Sequence, residues 1–203
     1  MANPAPSALY CAVETRYREL KRKFISREIG LERKDPLNYQ PDRERIAAFR
    51  LLFHAELEDY LESKAKAFLH SVQTDIRRGA LVLDRLDWYA LAAHFEIPLP
   101  IFCPHDAVKF KPISERVVVE GLAFVSKNNG IKATSFTILS LLAGKKMGEV
   151  DDSLAVSLND YGKDRGNVAH QSVTRVRNLM GPGIENTSAF NLMRALRFYY
   201  YGY

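Results

Sequence analysis

The chain has 203 residues, of which 47% are hydrophobic and 26% charged, a balance typical of one folded globular domain. Its two cysteines, Cys11 and Cys103, can form one bridge at most, which excludes a disulfide-stabilised framework and fits a reducing compartment. The formal net charge of +5 and the pI near 9.2 favour an anionic partner but do not identify one.

The hydrophobic segments are short. The longest apolar runs, such as the one at 136–144, fall well below the roughly 20 residues that a membrane-spanning helix needs. The N-terminus lacks a basic segment followed by a hydrophobic one. We therefore expect a cytoplasmic protein that does not bind membranes.

The first predicted helix covers Ser7 to Glu28, where Tyr10, Val13, Tyr17, Leu20 and Phe24 recur every three or four positions. Basic residues are frequent in the same segment, and we interpret them as a solvated face, with contact to nucleic acid as the alternative. These basic residues are Arg16, Arg18, Lys21, Arg22, Lys23 and Arg27.

The second predicted helix is long. Two prolines precede Asp42, which is a predicted N-cap for a helix from Arg43 to about Arg78. Glu56 falls close to the apolar stripe of this helix and therefore needs a cationic or donor partner. The stripe consists of Ile46, Phe49, Phe53, Leu57, Tyr60 and Phe68, with Lys64 as the one exception.

Shorter helices are predicted over the rest of the chain. Gly79 ends the long helix, and helices follow at 84–95, about 114–128 and 132–144. Asp151 or Asp152 caps another short helix that Gly162 interrupts, after which one helix extends to about 179 and the last covers 186–201. Because no segment alternates as a strand does, the sequence predicts an all-α, irregular helical bundle forming one domain over 1–203.

The most polar stretch is residues 161–172, YGKDRGNVAHQS. On a helix, Asn167 and His170 belong to one polar ridge with Thr174 and Arg177, whereas Arg165 lies about 140° from His170. Histidine exchanges protons near neutral pH, and arginine offers phosphate oxygens a permanently charged fork. The pair suits phosphodiester chemistry, although an arginine and a histidine at this spacing also occur by chance.

Two segments together resemble the HEPN superfamily, in particular its RiboL-PSP-like branch. They are the long early FRLLFHAELEDYLESKAK and the late GKDRGNVAH. The signature of that superfamily is an arginine, four to six residues and a histidine, and four residues separate Arg165 from His170. Ala169 and His170 also match its Ala-His ending. The resemblance covers roughly residues 40–180.

The resemblance implies a metal-independent endoribonuclease that needs no cofactor and serves as a toxin or antiviral defence effector. Its site would combine Arg165 and His170 of two subunits, with Asn167 as an added donor and with Glu56 or Asp59 orienting the arginine. RNA, a second copy of the chain, and a cognate antitoxin or regulatory protein are the implied partners. Many members carry a polar residue directly after the arginine, where this chain has Gly166.

The same resemblance divides the chain into an N-terminal helix and linker at 1–40, a HEPN core at 41–180 and a C-terminal helix at 181–203. Its alternative functional reading is a non-catalytic HEPN adaptor that binds nucleotide, RNA or a protein partner. Glu56 has an alternative role as one half of an ordinary buried ion pair.

Two further groups of residues have side chains that could bind a ligand. Cys103 and His105 could share a metal ion, but no second ligand pair with zinc spacing exists, so we interpret them as core or loop residues. The C-terminal tyrosines either stack on bases or pack at a helix end or subunit contact, and packing is favoured. These tyrosines are Tyr199, Tyr200, Tyr201 and Tyr203.

Overall fold

The regular structure is helical throughout the part of the chain that the structure describes, which confirms the all-α prediction there. The computed structural model describes residues 5–79, 85–99, 107–170 and 180–202, and for residues 85, 107–109 and 164–170 it describes the backbone alone. In chain order the elements are α1 Ala8–Leu20, a π-helical turn Lys21–Ile25, α2 Ser26–Lys34, α3 Arg43–Arg78, α4 Arg85–His94, α5 Ala107–Lys127, α6 Ala133–Leu142, a 3₁₀ turn Met147–Glu149, α7 Asp152–His170 and α8 Pro182–Tyr201.

The chain divides into two compact units. Unit 1 lies within 1–60, 130–133 and 151–203, and unit 2 lies within 61–129 and 134–150. The assignment of 1–203 to a single domain, with segments at 1–40, 41–180 and 181–203, stays a prediction. No helix in the described ranges combines the length and the apolar character that crossing a membrane requires.

The predicted N-terminal helix is divided by a π-helical turn and extends beyond its predicted end. The π-helical turn at Lys21–Ile25 separates α1 from α2, and α2 continues to Lys34. A π turn contains an extra residue, so it advances the inward face by one position. Ile25 is therefore fully buried, whereas Phe24, the predicted inward residue, is only partly covered.

The long helix α3 has the predicted bounds. The Asp42 carboxylate accepts a hydrogen bond from the Arg45 amide at 3.1 Å, as an N-cap does, and Gly79 follows the last residue with φ +70°. The predicted apolar stripe is buried from Ile46 through Tyr60, which confirms the helical periodicity in this part of the chain.

Two helices begin earlier than predicted. α5 starts at Ala107 instead of 114 and contains Pro112, which costs one backbone hydrogen bond without ending the helix. α8 starts at Pro182 instead of 186, because proline suits the first helical position and the Glu32 carboxylate of α2 accepts a hydrogen bond from the Gly183 amide at 3.0 Å.

The predicted break at Gly162 is wrong. α7 runs without interruption from Asp152 to His170, and the Asp151 carboxylate caps it by accepting the Leu154 amide at 3.0 Å. The backbone position of Arg165 is therefore more than three turns inside a helix instead of near a helix start. Glycine occupies position 162 because α7 approaches His54 of α3 so closely there that no room is left for a β-carbon.

Unit 1 has an aromatic core. The Tyr17 ring makes edge contacts with Phe49 and Phe53, which stack on each other with centroids 5.9 Å apart. Two of its buried phenols donate hydrogen bonds within the unit, Tyr10 to the Met193 carbonyl at 3.0 Å and Tyr17 to Asn186 at 2.9 Å. These contacts join α1, α3 and α8.

The core of unit 2 is largely aliphatic and also includes the buried rings of Trp88 and Phe136. Its buried residues include Leu69 of α3, Leu91 of α4, Val117 of α5 and Leu139 of α6. Gly121 permits close packing within this unit, because a β-carbon there would lie 2.9 Å from a Leu142 methyl group. The Asp87 carboxylate accepts a hydrogen bond from the Met147 amide at 3.0 Å and so fixes the turn after α6.

Candidate functional site

The three motif residues share one helix. Arg165, Asn167 and His170 all lie on α7, whose backbone is described through His170, while their side chains lie outside the described residues. In an uninterrupted α-helix, positions 165 and 170 are about 140° apart around the axis and about 7.5 Å apart along it. Thr174 and Arg177, the rest of the predicted polar ridge, also lie outside the described residues.

Glu56 has the cationic partner that its position demanded. Its side chain is 30% exposed and accepts a hydrogen bond from Arg16 Nε at 2.8 Å. Arg16 also donates to Glu19 at 2.9 Å, and the bonds to Glu56 and then Glu19 raise the pKa of Arg16. The carboxylate thus takes part in an ion pair, which is exposed and not buried as the alternative interpretation expected, and its action on Arg165 stays a prediction. Asp59 is exposed on the same helix.

A buried polar cluster lies immediately before the motif. It contains two cations or potential cations from α3, one phenol from α7 and one carboxylate from α8. Each of these four residues is at most 5% exposed, and most of the buried side chains around them are apolar. We use the term buried polar cluster for Arg50, His54, Tyr161 and Glu185.

The arginine of the cluster makes two contacts. Arg50 Nη1 lies 3.3 Å from Glu185 Oε1, and the guanidinium lies 4.9 Å from the centroid of the Tyr161 ring. Burial, and after it the Glu185 carboxylate, raises the pKa of the Tyr161 phenol, against the opposing effect of Arg50. The phenol is therefore neutral at physiological pH, and the charges of Arg50 and Glu185 offset each other in the core.

The histidine of the cluster joins α3 to α7. The His54 ring lies parallel to the Tyr161 ring within 11°, with centroids 6.4 Å apart, and its Nδ1 lies 3.9 Å from Glu58 Oε2. Glu58 in turn accepts a hydrogen bond from the Gly130 amide in the loop before α6. The exposure of His54 is 1%, so this side chain is buried.

The cluster fixes the turn of α7 that leads into the motif. Tyr161 is held by Arg50 and His54, and Gly162 lies directly against His54. Position 165 follows Tyr161 by one helical turn on the same side of α7. Packing against α3 therefore positions the turn of α7 directly before Arg165. A site of defined geometry requires such support from neighbouring side chains.

The sequence contained a signal for this cluster that periodicity alone did not reveal. Arg50, His54 and Glu58 are spaced by four residues, so they follow one another along one face of α3. A glycine directly after Tyr161, on a helix, is a second sign of close backbone approach. Glu185 carries no comparable local signal, because its partner is far away in the sequence.

A cleft of about 430 Å³ opens beside the cluster. The buried residues Arg50 and Tyr161 line it together with the more exposed residues Asp151, Ser157 and Asp160 on the α7 side. Asp160 pairs with Lys163 at 3.0 Å, which lowers the pKa of the Asp160 carboxyl. The α7 side of the cleft therefore carries two carboxylates, of which the one of Asp160 is paired with a lysine.

The remaining sequence candidates are resolved in part. Cys103 and His105 lie outside the described residues. Tyr199 and Tyr201 are buried, as the packing interpretation of the C-terminal tyrosines predicted, and Tyr203 lies outside the described residues. Within the described ranges, no group of three or more His, Cys, Asp or Glu side chains is arranged to hold a metal ion.

Comparison of the chain with protein-family models, with curated proteins and with solved structures found no match in any of the three.

Proposed function

We propose that the protein is a HEPN-type, metal-independent endoribonuclease that acts in the cytoplasm as a toxin or antiviral defence effector. The observation that carries the proposal is the Arg165-x₄-His170 motif on α7, one turn after a buried polar cluster that fixes this helix against α3. A helical fold and a net charge of +5 accord with an RNA substrate.

The proposed reaction is transesterification within the RNA. The ribose 2′-oxygen forms a bond to the neighbouring phosphorus, and the bond from phosphorus to the 5′-oxygen of the next nucleotide breaks. His170 manages the proton transfer that this exchange requires, and Arg165 holds the charge that builds on the phosphoryl oxygens. Because the nucleophile is tethered beside its target, the step requires no metal ion.

The site is proposed to assemble in a homodimer. Positions 165 and 170 point to different sides of one helix, so two copies meeting along α7 supply an arginine and a histidine to one scissile phosphate more readily than one copy does. Asn167 adds a hydrogen-bond donor, and Glu56 or Asp59 orients the arginine. A cognate antitoxin or regulatory protein would control such an effector.

The ends of the RNA products test this chemistry. Attack by the 2′-oxygen leaves a 2′,3′-cyclic phosphate, or its opened monoester, on the upstream fragment and a 5′-hydroxyl on the downstream fragment. A 2′-deoxy substitution at the cleavage site should block the reaction, and a chelator should not. Cleavage that requires a divalent cation, or that leaves 5′-phosphates, would contradict the Arg165–His170 mechanism.

The second candidate is a non-catalytic HEPN adaptor that binds nucleotide, RNA or a protein partner. Gly166 favours it, because this chain lacks the polar side chain that often follows the motif arginine in catalytic members. An adaptor would leave RNA intact and would keep its partner after His170→Ala. The cleavage assay therefore separates the two candidates.

A further inference from the structure

Two exposed aromatic rings lie on α8. Phe190 is 42% exposed and Phe198 is 66% exposed, and the step of eight residues from one to the other corresponds to about 12 Å along the helix. Phe190 is fixed in place, because the Tyr17 ring lies 6.5 Å from it and the Arg194 guanidinium lies 5.9 Å from its centroid.

The two rings border a groove between α1 and α8. Its volume is about 680 Å³, and all of its walls belong to unit 1. We call it the α1/α8 groove and define it by Tyr10, Glu14, Phe190, Arg194, Arg197 and Phe198.

The charge of the α1/α8 groove favours an anion. Arg194 and Arg197 face one carboxylate, Glu14, and Arg18 already lies 3.8 Å from that carboxylate. The cleft beside the buried polar cluster differs, since it contains Asp151 and Asp160. The α1/α8 groove therefore suits a polyanion better than the cleft does.

Exposed rings alternating with arginines are the chemistry that recognises unpaired nucleic acid. Bases stack on aromatic faces whatever their sequence, and guanidinium groups bind the phosphates and stack as well. We propose that the α1/α8 groove binds single-stranded RNA; this inference rests on the proposed function, because it assigns that RNA a binding surface outside Arg165 and His170. A span of about 12 Å matches three to four nucleotides stacked at about 3.4 Å each.

The groove leads towards the motif helix. Asn191 and Ala195 line both the α1/α8 groove and the cleft that contains Tyr161, so the two depressions adjoin along α8. Tyr161 is one helical turn before Arg165 on α7. RNA in the groove is thus held within reach of the helix that carries the proposed chemistry.

Binding can be measured without cleavage. The full chain carrying His170→Ala is titrated against a fluorescent single-stranded oligouridylate of about 12 nucleotides, a length typical of such sites, and anisotropy is recorded. Phe198→Ala should weaken binding about tenfold through the loss of one stacking face. Arg194→Gln should weaken binding and reduce the slope of log K against log salt by about 0.7.

Matched controls exclude general effects. Leu37→Ala removes an apolar side chain that is 94% exposed elsewhere in unit 1, and Arg33→Gln removes one exposed positive charge from α2. Leu37→Ala should change the affinity by no more than twofold, and Arg33→Gln should change it only by the small effect of losing one distant charge. Phe198→Trp keeps an aromatic face and should preserve the affinity. Equal effects of Phe198→Ala and Leu37→Ala, or no RNA binding at all, would overturn the inference.

Other ligands give different results. A duplex of the same sequence should bind more weakly, because its base faces are covered, and equal binding would overturn the inference. Full displacement by a mononucleotide, without dependence on oligonucleotide length, would make the groove a nucleotide site instead. If Phe198→Ala weakens RNA binding and the wild-type protein never cleaves RNA, the groove is retained as the RNA-binding surface and the nuclease proposal is refuted. If the wild-type protein cleaves RNA and the groove variants cleave it equally well, the nuclease proposal is retained and the groove proposal is refuted.

Discussion

Gly162 of α7 lies against the imidazole of His54 on α3, so closely that a β-carbon at position 162 would sit 2.6 Å from His54 Nε2. The imidazole cannot move aside freely, because it is buried and lies parallel to the Tyr161 ring. This contact fixes the distance between the two helices three residues before Arg165.

Replacing this glycine tests the contact. Gly162→Ala should lower the free energy of unfolding by about 1–2 kcal/mol, because displacing a packed ring costs more than the gain of up to about 1 kcal/mol in helix propensity. Gly30→Ala is the matched control, since Gly30 is exposed inside α2 and a β-carbon there meets nothing within 4 Å. Gly30→Ala should be neutral or stabilising. Thermal melts of both variants, compared with the wild type, measure these changes in stability. A Gly162→Ala variant that is more stable than the wild type would refute the close contact.

The ion pair between Arg50 and Glu185 is buried, with side chains 6% and 1% exposed. Glu185→Gln should destabilise unit 1 by about 3–5 kcal/mol, because it leaves the Arg50 charge in the core without a counter-charge. The double variant Arg50→Met with Glu185→Leu should recover much of that loss. Asp160→Asn, which breaks an exposed pair with Lys163, should leave the melting temperature unchanged. A Glu185→Gln variant as stable as wild type would contradict the charged assignment of the pair.

The cap of α7 makes a prediction about pH. Asp151 accepts hydrogen bonds from the Ser153 hydroxyl at 2.7 Å and the Leu154 amide at 3.0 Å, which hold the pKa of its carboxyl below the ordinary value. Its contribution to stability is complete above the unfolded pKa of about 3.9 and is lost as the pH falls through the lower folded pKa.

Asp151→Ala should therefore cost about 0.5–1 kcal/mol at neutral pH, with the difference from wild type shrinking in strong acid. Asp151→Asn provides the control, because asparagine caps a helix comparably and does not titrate there. Urea melts of the three proteins across the acid range give the measurement. A difference between Asp151→Ala and wild type that grows on acidification would contradict this role.

The elements that local sequence determines were predicted well. The 3.6-residue period, the Asp42 cap and Gly79 define α3, because each acts within a few residues of its own position. The π turn was missed because one inserted residue changes which side chain faces inward, so Ile25 replaces Phe24 in the core. Gly162 was misread as a helix end because its role depends on His54, which lies on another helix.

The candidate site shows the same division. The sequence predicted that Arg165, Asn167 and His170 lie on one helix, which the backbone of α7 confirms. It also predicted a partner for Glu56, which Arg16 provides. It could not name Arg16 as that partner or gather Arg50, His54, Tyr161 and Glu185, because these contacts join residues 40 or more positions apart. Periodicity shows which side faces inward, and tertiary packing decides what it meets.

The most direct test of the central claim is the rate at which the purified protein cleaves single-stranded RNA, measured for wild type and His170→Ala in the presence of a chelator. Loss of proton transfer should lower the rate by about 10²–10⁴-fold, and a melting temperature and circular dichroism spectrum equal to those of wild type would show that the fold is unchanged. A His170→Ala protein that is folded and cleaves RNA at the wild-type rate would contradict the assignment of Arg165 and His170 as the catalytic pair.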